Sequence, residues 1–434
     1  MEQKEAFIVK GFGGSRQLSG EICVKGAKNE ALKVFAASLL FKDAVRIERI
    51  PDIEDIRRMV ELLESIGADV KRESHDTYIV RAGGDINTSL PRALSQQFRA
   101  SVILAGPLLA RFGHARFYSP GGCHIGTRPI DLLLDGLGEL GVSVSYEFDE
   151  ERMCYDLVVG EAGLVGADIV LRVSSVGATE LLMMTATQAK GTTTIYNAAM
   201  EPEIVALALY LNSCGAKITG VGTPMITIEG SGTLSSRGKT CTIIPDRIEA
   251  GTFVLLGALS GREIHITDCN PLHLRVPLEF LRTVGVPLEY HSDRIVVRSP
   301  GREFSSNLLL KTHEYPGFPT DLQPLMVLFF TQVHGVNSVF ETIYESRFEY
   351  LDDLRAMGAD IDLSANHAVI SGPTPLCAKE MPAMDLRAGM AFVLAAIIAD
   401  GQSVVHNVYN IGRGYEAIDE RLRAIGVEIE HRVS

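Results

Sequence analysis

The sequence predicts an α/β protein of two lobes, each built from three copies of a repeat of about 70 residues. Three observations predict it. The first is a leucine followed four residues later by glycine, then Ala or Val, any residue, and an aliphatic residue. This pattern occurs six times: Leu63–Val70, Leu137–Val144, Leu211–Ile218, Leu281–Leu288, Leu354–Ile361 and Leu422–Ile429. Its glycines are Gly67, Gly141, Gly215, Gly285, Gly358 and Gly426, in steps of 74, 74, 70, 73 and 68 residues. Each copy reads as the end of an amphipathic helix, a glycine that stops it, and entry into a strand.

The second observation is another helical pattern, also sixfold, lying between these copies. Its members run over 28–41, 99–112, 175–190, 246–260, 320–333 and 385–400. All are apolar nearly all round, which predicts enclosed rather than surface helices. The third is punctuation. After most of these segments a glycine (Gly113, Gly191, Gly261, Gly335, Gly401) opens a short β-type run such as Thr192–Tyr196 or Ser403–His406. In each lobe three enclosed helices are therefore expected inside a ring of sheets. Polar breaks at Lys28-Asn29 and Pro245-Asp246-Arg247 mark the junctions. Residues 1–27 and 245–434 are expected to form one lobe, and 28–244 the other.

Composition bounds the function. Of 434 residues, 46% are hydrophobic and 22% charged, as in a globular protein with a large core. A formal net charge of −13 argues against a nucleic-acid partner. It also means that an anionic ligand needs a local cluster of Lys and Arg. No apolar stretch approaches a membrane span, so no membrane insertion is expected. The seven cysteines are scattered, with no CxxC spacing, which reads as a reduced cytoplasmic protein without a zinc site.

Chemistry concentrates in two places. One is the stretch Tyr118–Leu132, whose glycines predict a loop carrying Cys123, followed by Arg128, Pro129 and a helix. A thiol near an arginine and a helix start has a lowered pKa and is a candidate acid or nucleophile; the plainer alternative is an incidental surface cysteine. The other place is the starts of the enclosed helices. Lys28, Arg99, Arg247 and Arg387 stand where a cation opposes the helix dipole, so an anionic ligand or salt bridges to Asp246, Glu249 or Asp385 must account for them. Arg128 and Arg413 each lie 13 residues before a repeat glycine, and Arg347 lies 11 before one. Charge thus gathers at one end of several repeats, as lining for a single cleft.

Taken in order, Gly26-Ala-Lys28-Asn29, Arg99-Ala-Ser101, Pro120-Gly-Gly-Cys123, Arg128-Pro-Ile-Asp131-Leu132, Ser175-Val-Gly-Ala-Thr179, Glu201-Pro-Glu203, Pro245-Asp-Arg247-Ile-Glu249, Phe318-Pro-Thr-Asp321, Asp385-Leu-Arg387 and Arg413-Gly-Tyr-Glu416 resemble the enolpyruvyl transferases. The resemblance covers essentially the whole chain. The cysteine loop favours the branch that acts on UDP-N-acetylglucosamine over the shikimate branch. It implies two inside-out α/β lobes that close on substrate, acting as a monomer. The implied reaction moves the enolpyruvyl group of phosphoenolpyruvate to the 3-hydroxyl of UDP-N-acetylglucosamine by addition and elimination. Phosphate is released, and the step opens peptidoglycan synthesis.

The resemblance also implies roles. Cys123 is the general acid and the site of adducts with phosphoenolpyruvate and fosfomycin. Asp321 is the base and sugar-hydroxyl anchor, its plainer reading being a helix cap. Lys28, Arg128 and Arg413 hold the phosphate and carboxylate of phosphoenolpyruvate, and Asn29 stands beside Lys28. Arg99 with Ser175, Val176 and Gly177 takes the diphosphate. Arg128, Pro129, Ile130, Asp131 and Leu132 frame the uracil and ribose, and Ile343 touches the nucleotide-sugar. Glu345, Asp385 and Arg387 support the pyruvyl end. No metal or organic cofactor is implied. Met200, Gly412, Val173, Tyr344 and Ser346 depart from the family's usual residues. Met200 and Val173 fall on the nucleotide-sugar side, which leaves a paralogue with another acceptor as the alternative.

Overall fold

A computed structural model describes residues 5–96, 98–119, 130–149, 152–299 and 303–433. Cys123, Arg128 and Pro129 lie outside the described residues. The chain divides into two compact units, one holding residues up to Lys25 and from Pro245 onward, the other the described residues between Gly26 and Ile244.

Among the described residues, setting aside two one-turn helices at Arg92–Ser95 and Tyr409–Gly412, twelve helices alternate in character along the chain. In the second unit they are α1 (Lys28–Ala37), α2 (Glu54–Ser65), α3 (Ala105–Phe112), α4 (Asp131–Glu139), α5 (Val176–Ala186) and α6 (Pro202–Ser213). In the first they are α7 (Arg247–Ser260), α8 (Arg275–Val284), α9 (Gln323–Phe330), α10 (Leu351–Ala356), α11 (Leu386–Ile398) and α12 (Ile418–Ala424). The odd-numbered helices are the enclosed set; every residue of α7, α9 and α11 is buried. The even-numbered ones end before the repeat glycines. All six glycines have positive φ, between 89° and 113°, the left-handed turn that lets the chain leave the helix and enter a strand. Helices 3 and 9 are entered through 3₁₀ turns, Arg99–Leu104 and Thr320–Leu322, so these two enclosed segments are not α-helical from their first residue.

The six sheets share one plan. In 309–311, 335–340, 367–372 and 360–364, the first pair is parallel and the next two pairs are antiparallel. The same plan holds for 168–170, 192–196, 225–229 and 217–219. In these two, the strand leaving the enclosed helix is flanked by a parallel strand and by the last strand of its own repeat. Three sheets take a strand from far away in sequence: 240–242 pairs with 45–48, 18–23 with 261–267, and 5–10 with both 402–406 and 428–433. In the sixth, 114–118 with 152–159 and 142–149, the parallel edge shrinks to a single bridge, Ser89 with Arg116. Strands such as 192–196 and 217–219 bury one face only. Each unit is thus layered inside out, with apolar helices at its centre and amphipathic sheets on its surface. Each unit has its own hydrophobic core.

Candidate active site

In the first unit the site is built around Asp321, in the 3₁₀ turn that enters α9. Asp321 does not cap that helix; Pro319 occupies the cap of the turn, with no side-chain capping bond. The carboxylate is instead gripped by two guanidinium groups. Arg347 donates from Nη2 to Oδ1 at 3.0 Å. Arg387 donates from Nε and Nη2 to Oδ2 at 3.1 and 2.9 Å. Both arginines are buried, while the Asp321 side chain keeps 28% of its surface open. Burial alone would raise the Asp321 carboxyl, but Arg387 and then Arg347 outweigh it and hold it well below the usual carboxylate range. Arg387 also donates to the Tyr415 hydroxyl at 3.4 Å, which lies 2.8 Å from Thr252 Oγ1 on α7.

Asp385 anchors a helix start. Its Oδ1 accepts from Arg387 N and Ala388 N at 2.7 and 3.1 Å, so it is the N-cap of α11. It fixes the helix start from which Arg387 reaches Asp321. Asp246 likewise caps α7, accepting from Ile248 N and Glu249 N. Arg247, next in line, lies over the Tyr315 ring with 5.5 Å to its centroid. Arg413 is half-buried two residues before Tyr415, Glu345 is exposed, and the Ile343 N–H donates to Glu341.

In the second unit Lys28 begins α1, and its ammonium lies 2.7 Å from Asp55 on α2. The cation at this helix start is therefore balanced inside its own unit. Asn29 follows, its carbonyl accepting from Lys33 Nζ at 2.9 Å. Arg99 is the half-buried first residue of the turn entering α3. Ser175 caps α5, its Oγ accepting from Ala178 N at 3.4 Å. Open space lies where a Cβ on Gly177 would point, so the start of α5 presents bare backbone. Asp131 opens α4 and pairs with Arg172 at 2.6 Å. That pair draws Ile130, Asp131 and Leu132 toward the segment leading to Ser175.

The structure thus gathers Asp321, Arg387 and Asp385 in one place, and in another pairs Asp131 with Arg172, three residues before Ser175. Sequence reading placed Arg347 only at an equivalent repeat position and left Asp55 and Tyr415 out of the site. Asp55 lies 27 residues beyond Lys28 on an ordinary amphipathic helix, and no local pattern marks it.

Against known proteins, residues 13–422 match the family model described as EPSP synthase (3-phosphoshikimate 1-carboxyvinyltransferase). The chain is similar to a UDP-N-acetylglucosamine 1-carboxyvinyltransferase from Desulforapulum autotrophicum, 40% identical over 96% of this chain and 98% of that relative. It is also similar to UDP-N-acetylglucosamine 1-carboxyvinyltransferase 2 from Bacillus cereus, 42% identical over 96% and 95%. The chain belongs to the EPSP synthase family. Among solved structures it is similar to the enolpyruvyl transferase NikO from Streptomyces tendae, at a TM-score of 0.88 and 25% identity over the full length of both chains. EPSP synthase from Acinetobacter baumannii shares the fold, at a TM-score of 0.73 and 16% identity over 99% of this chain and 100% of that one. Membership agrees with the resemblance drawn from the motifs, and the six-repeat architecture agrees with the fold it implied.

Proposed function

We propose that this chain is a UDP-N-acetylglucosamine 1-carboxyvinyltransferase, moving the enolpyruvyl group of phosphoenolpyruvate to the sugar 3-hydroxyl with release of phosphate. The observation that carries the chemistry is the Asp321 carboxylate held ionised between Arg347 and Arg387, in a chain 40% identical over 96% of its length to proteins of that name. The reaction needs a hydroxyl oxygen to add to C2 of the enol while C3 takes a proton. A tetrahedral adduct forms. C3 then gives up a proton, the C2–O bond to phosphate breaks, and the double bond returns.

Asp321 accepts the hydroxyl hydrogen. A carboxylate this strongly stabilised is a weak base but a good acceptor, so its first task is to orient the hydroxyl. It becomes a better base when substrate carboxylate or phosphate draws Arg387 and Arg347 away. Cys123 supplies the proton to C3. Lys28, Arg128 and Arg413 hold the anionic groups of phosphoenolpyruvate and stabilise the adduct. The start of α5, with Ser175, Val176 and Gly177, and Arg99 take the diphosphate. Ile130, Asp131, Leu132 and Pro129 frame the nucleoside, while Ile343 and Glu345 line the sugar and pyruvyl end. Asn29, beside Lys28, belongs to the substrate-binding set. The enzyme works as a cytoplasmic monomer in cell-wall synthesis, and hence in cell division.

The test is phosphate release from phosphoenolpyruvate, with and without UDP-N-acetylglucosamine and fosfomycin. Release that requires the nucleotide-sugar and stops with fosfomycin is expected. Cys123→Ala and Asp321→Asn should each cut turnover by about 10²–10⁴-fold. Release that ignores UDP-N-acetylglucosamine but responds to another nucleotide would move the acceptor and leave the chemistry.

A further inference from the structure

One buried charge in the second unit has no place in that chemistry. Glu180 lies on α5, five residues beyond its cap Ser175, and is fully buried. Among the described residues, its Oε1 has no hydrogen-bond partner. Its counter-charge is Lys33, whose Nζ stands 3.0 Å from Oε2. Lys33 belongs to α1, one turn beyond Asn29, and the same ammonium donates to the Asn29 carbonyl. Its side chain is itself only 12% exposed. The neighbours on both helices are apolar and enclosed, among them Ala31, Leu32, Leu181 and Leu182.

Such a pair is a poor device for stability. A buried carboxylate whose one partner is a single ammonium loses more hydration than that cation returns, and apolar side chains of similar volume usually serve the core as well. The surroundings add to the cost. Glu30 on α1 and Glu201 and Glu203 at the start of α6 bring further carboxyls near. Burial raises the Glu180 carboxyl to about 7 even with Lys33 opposing. What the pair does supply is a link of fixed length. One ammonium ties the first turn of α1 to the first turns of α5, and those two turns carry Lys28-Asn29 and Ser175–Gly177.

We propose that Lys33 and Glu180 are positioning residues that fix the start of α1 against the start of α5 and thereby set the affinity for a nucleoside-diphosphate sugar. This rests on the functional reading above, because the ligand it names is the acceptor of that reaction. Neither residue touches substrate. Both act through the helix starts they join, where a small displacement weakens several contacts at once.

The experiment is steady-state kinetics with UDP-N-acetylglucosamine varied at saturating phosphoenolpyruvate, alongside melting temperatures, for wild type and four variants. Lys33→Met and Glu180→Gln should raise KM for UDP-N-acetylglucosamine about tenfold with kcat within about twofold. Lys33→Arg keeps the charge and the reach and should recover most of the affinity. The double replacement Lys33→Met with Glu180→Leu exchanges the ion pair for an apolar one. It should melt at least as high as wild type yet keep the raised KM. Variants that melt lower but keep the wild-type KM, or a double replacement that restores KM, would overturn the inference while wild-type turnover leaves the functional reading standing. A wild-type enzyme with no turnover on UDP-N-acetylglucosamine would overturn both.

Discussion

Glu30 and Asp321 show opposite ways of burying a carboxyl. Asp321 is surrounded by guanidinium groups and stays ionised. Glu30 accepts one backbone bond, from Ile244 N at 2.7 Å, but burial dominates and raises its carboxyl to about 8, with Glu203 and Glu180 adding to the shift. Its equivalent in the other unit, Glu249, is the third residue of α7 and accepts from Lys25 N at 2.7 Å. Burial raises Glu249 as well, against the pull of Arg421. The pH consequence for Glu30 follows from linkage. A folded-state value above the unfolded one means the folded chain holds the proton more tightly. The stability this lends is complete below the unfolded value of about 4.5 and drains away as pH rises to about 8. Glu30→Gln keeps the acceptor for Ile244 N and removes the proton. Its melting temperature should match wild type near pH 5 and exceed it by several degrees near pH 9. An equal difference at both values, read by calorimetry, would show that Glu30 does not carry a raised carboxyl.

Among the elements, the enclosed helices meet with almost no clearance. A Cβ on Gly106 of α3 would lie 2.8 Å from Thr185 Oγ1 and 2.9 Å from the Leu181 carbonyl oxygen of α5. Two effects oppose each other in Gly106→Ala. Helix propensity favours alanine by about 1 kcal/mol. The clash is with backbone, which cannot rotate aside, and overpacking of this kind costs about 1–3 kcal/mol. The clash should win by up to about 2 kcal/mol, seen as a lower denaturation midpoint at unchanged slope. A midpoint at or above wild type would mean that α3 and α5 can separate freely. Capping shows the same economy. Asp385 spends its Oδ1 on two N–H groups of its own helix. The cap fixes the helix start that carries Arg387.

Across the whole molecule, the described chain changes unit after Lys25 and again after Ile244, and each unit closes its sheets with strands from beyond its own repeats. The strand 5–10 lies between 402–406 and 428–433. Val9, at its centre, is fully buried. Val9→Asp puts an unpaired carboxylate into that core. Hydrogen exchange should then quicken in 402–406 and 428–433, while 225–229 in the other unit keeps its protection. Equal loss in both would mean that the units do not hold their structure independently.

The sequence by itself determined the repeats, the alternation of enclosed and outer helices, the glycines that end the outer ones, and the family. These are local signals: a period of 3.6, a left-handed turn, a short ordered motif. It also marked Lys28 and Arg387 as unusual at helix starts, and the motif resemblance singled out Asp321. Only the tertiary structure decided their partners. Lys28 meets Asp55, Asp321 meets Arg347 and Arg387, and Lys33 meets Glu180. Residues 26 to 147 positions apart in sequence form these pairs, and which of many carboxylates and cations meet is set by how the enclosed helices pack. The strands that close each sheet were hidden for the same reason. A strand records which face it buries, but its hydrogen bonds go to whatever edge the fold presents.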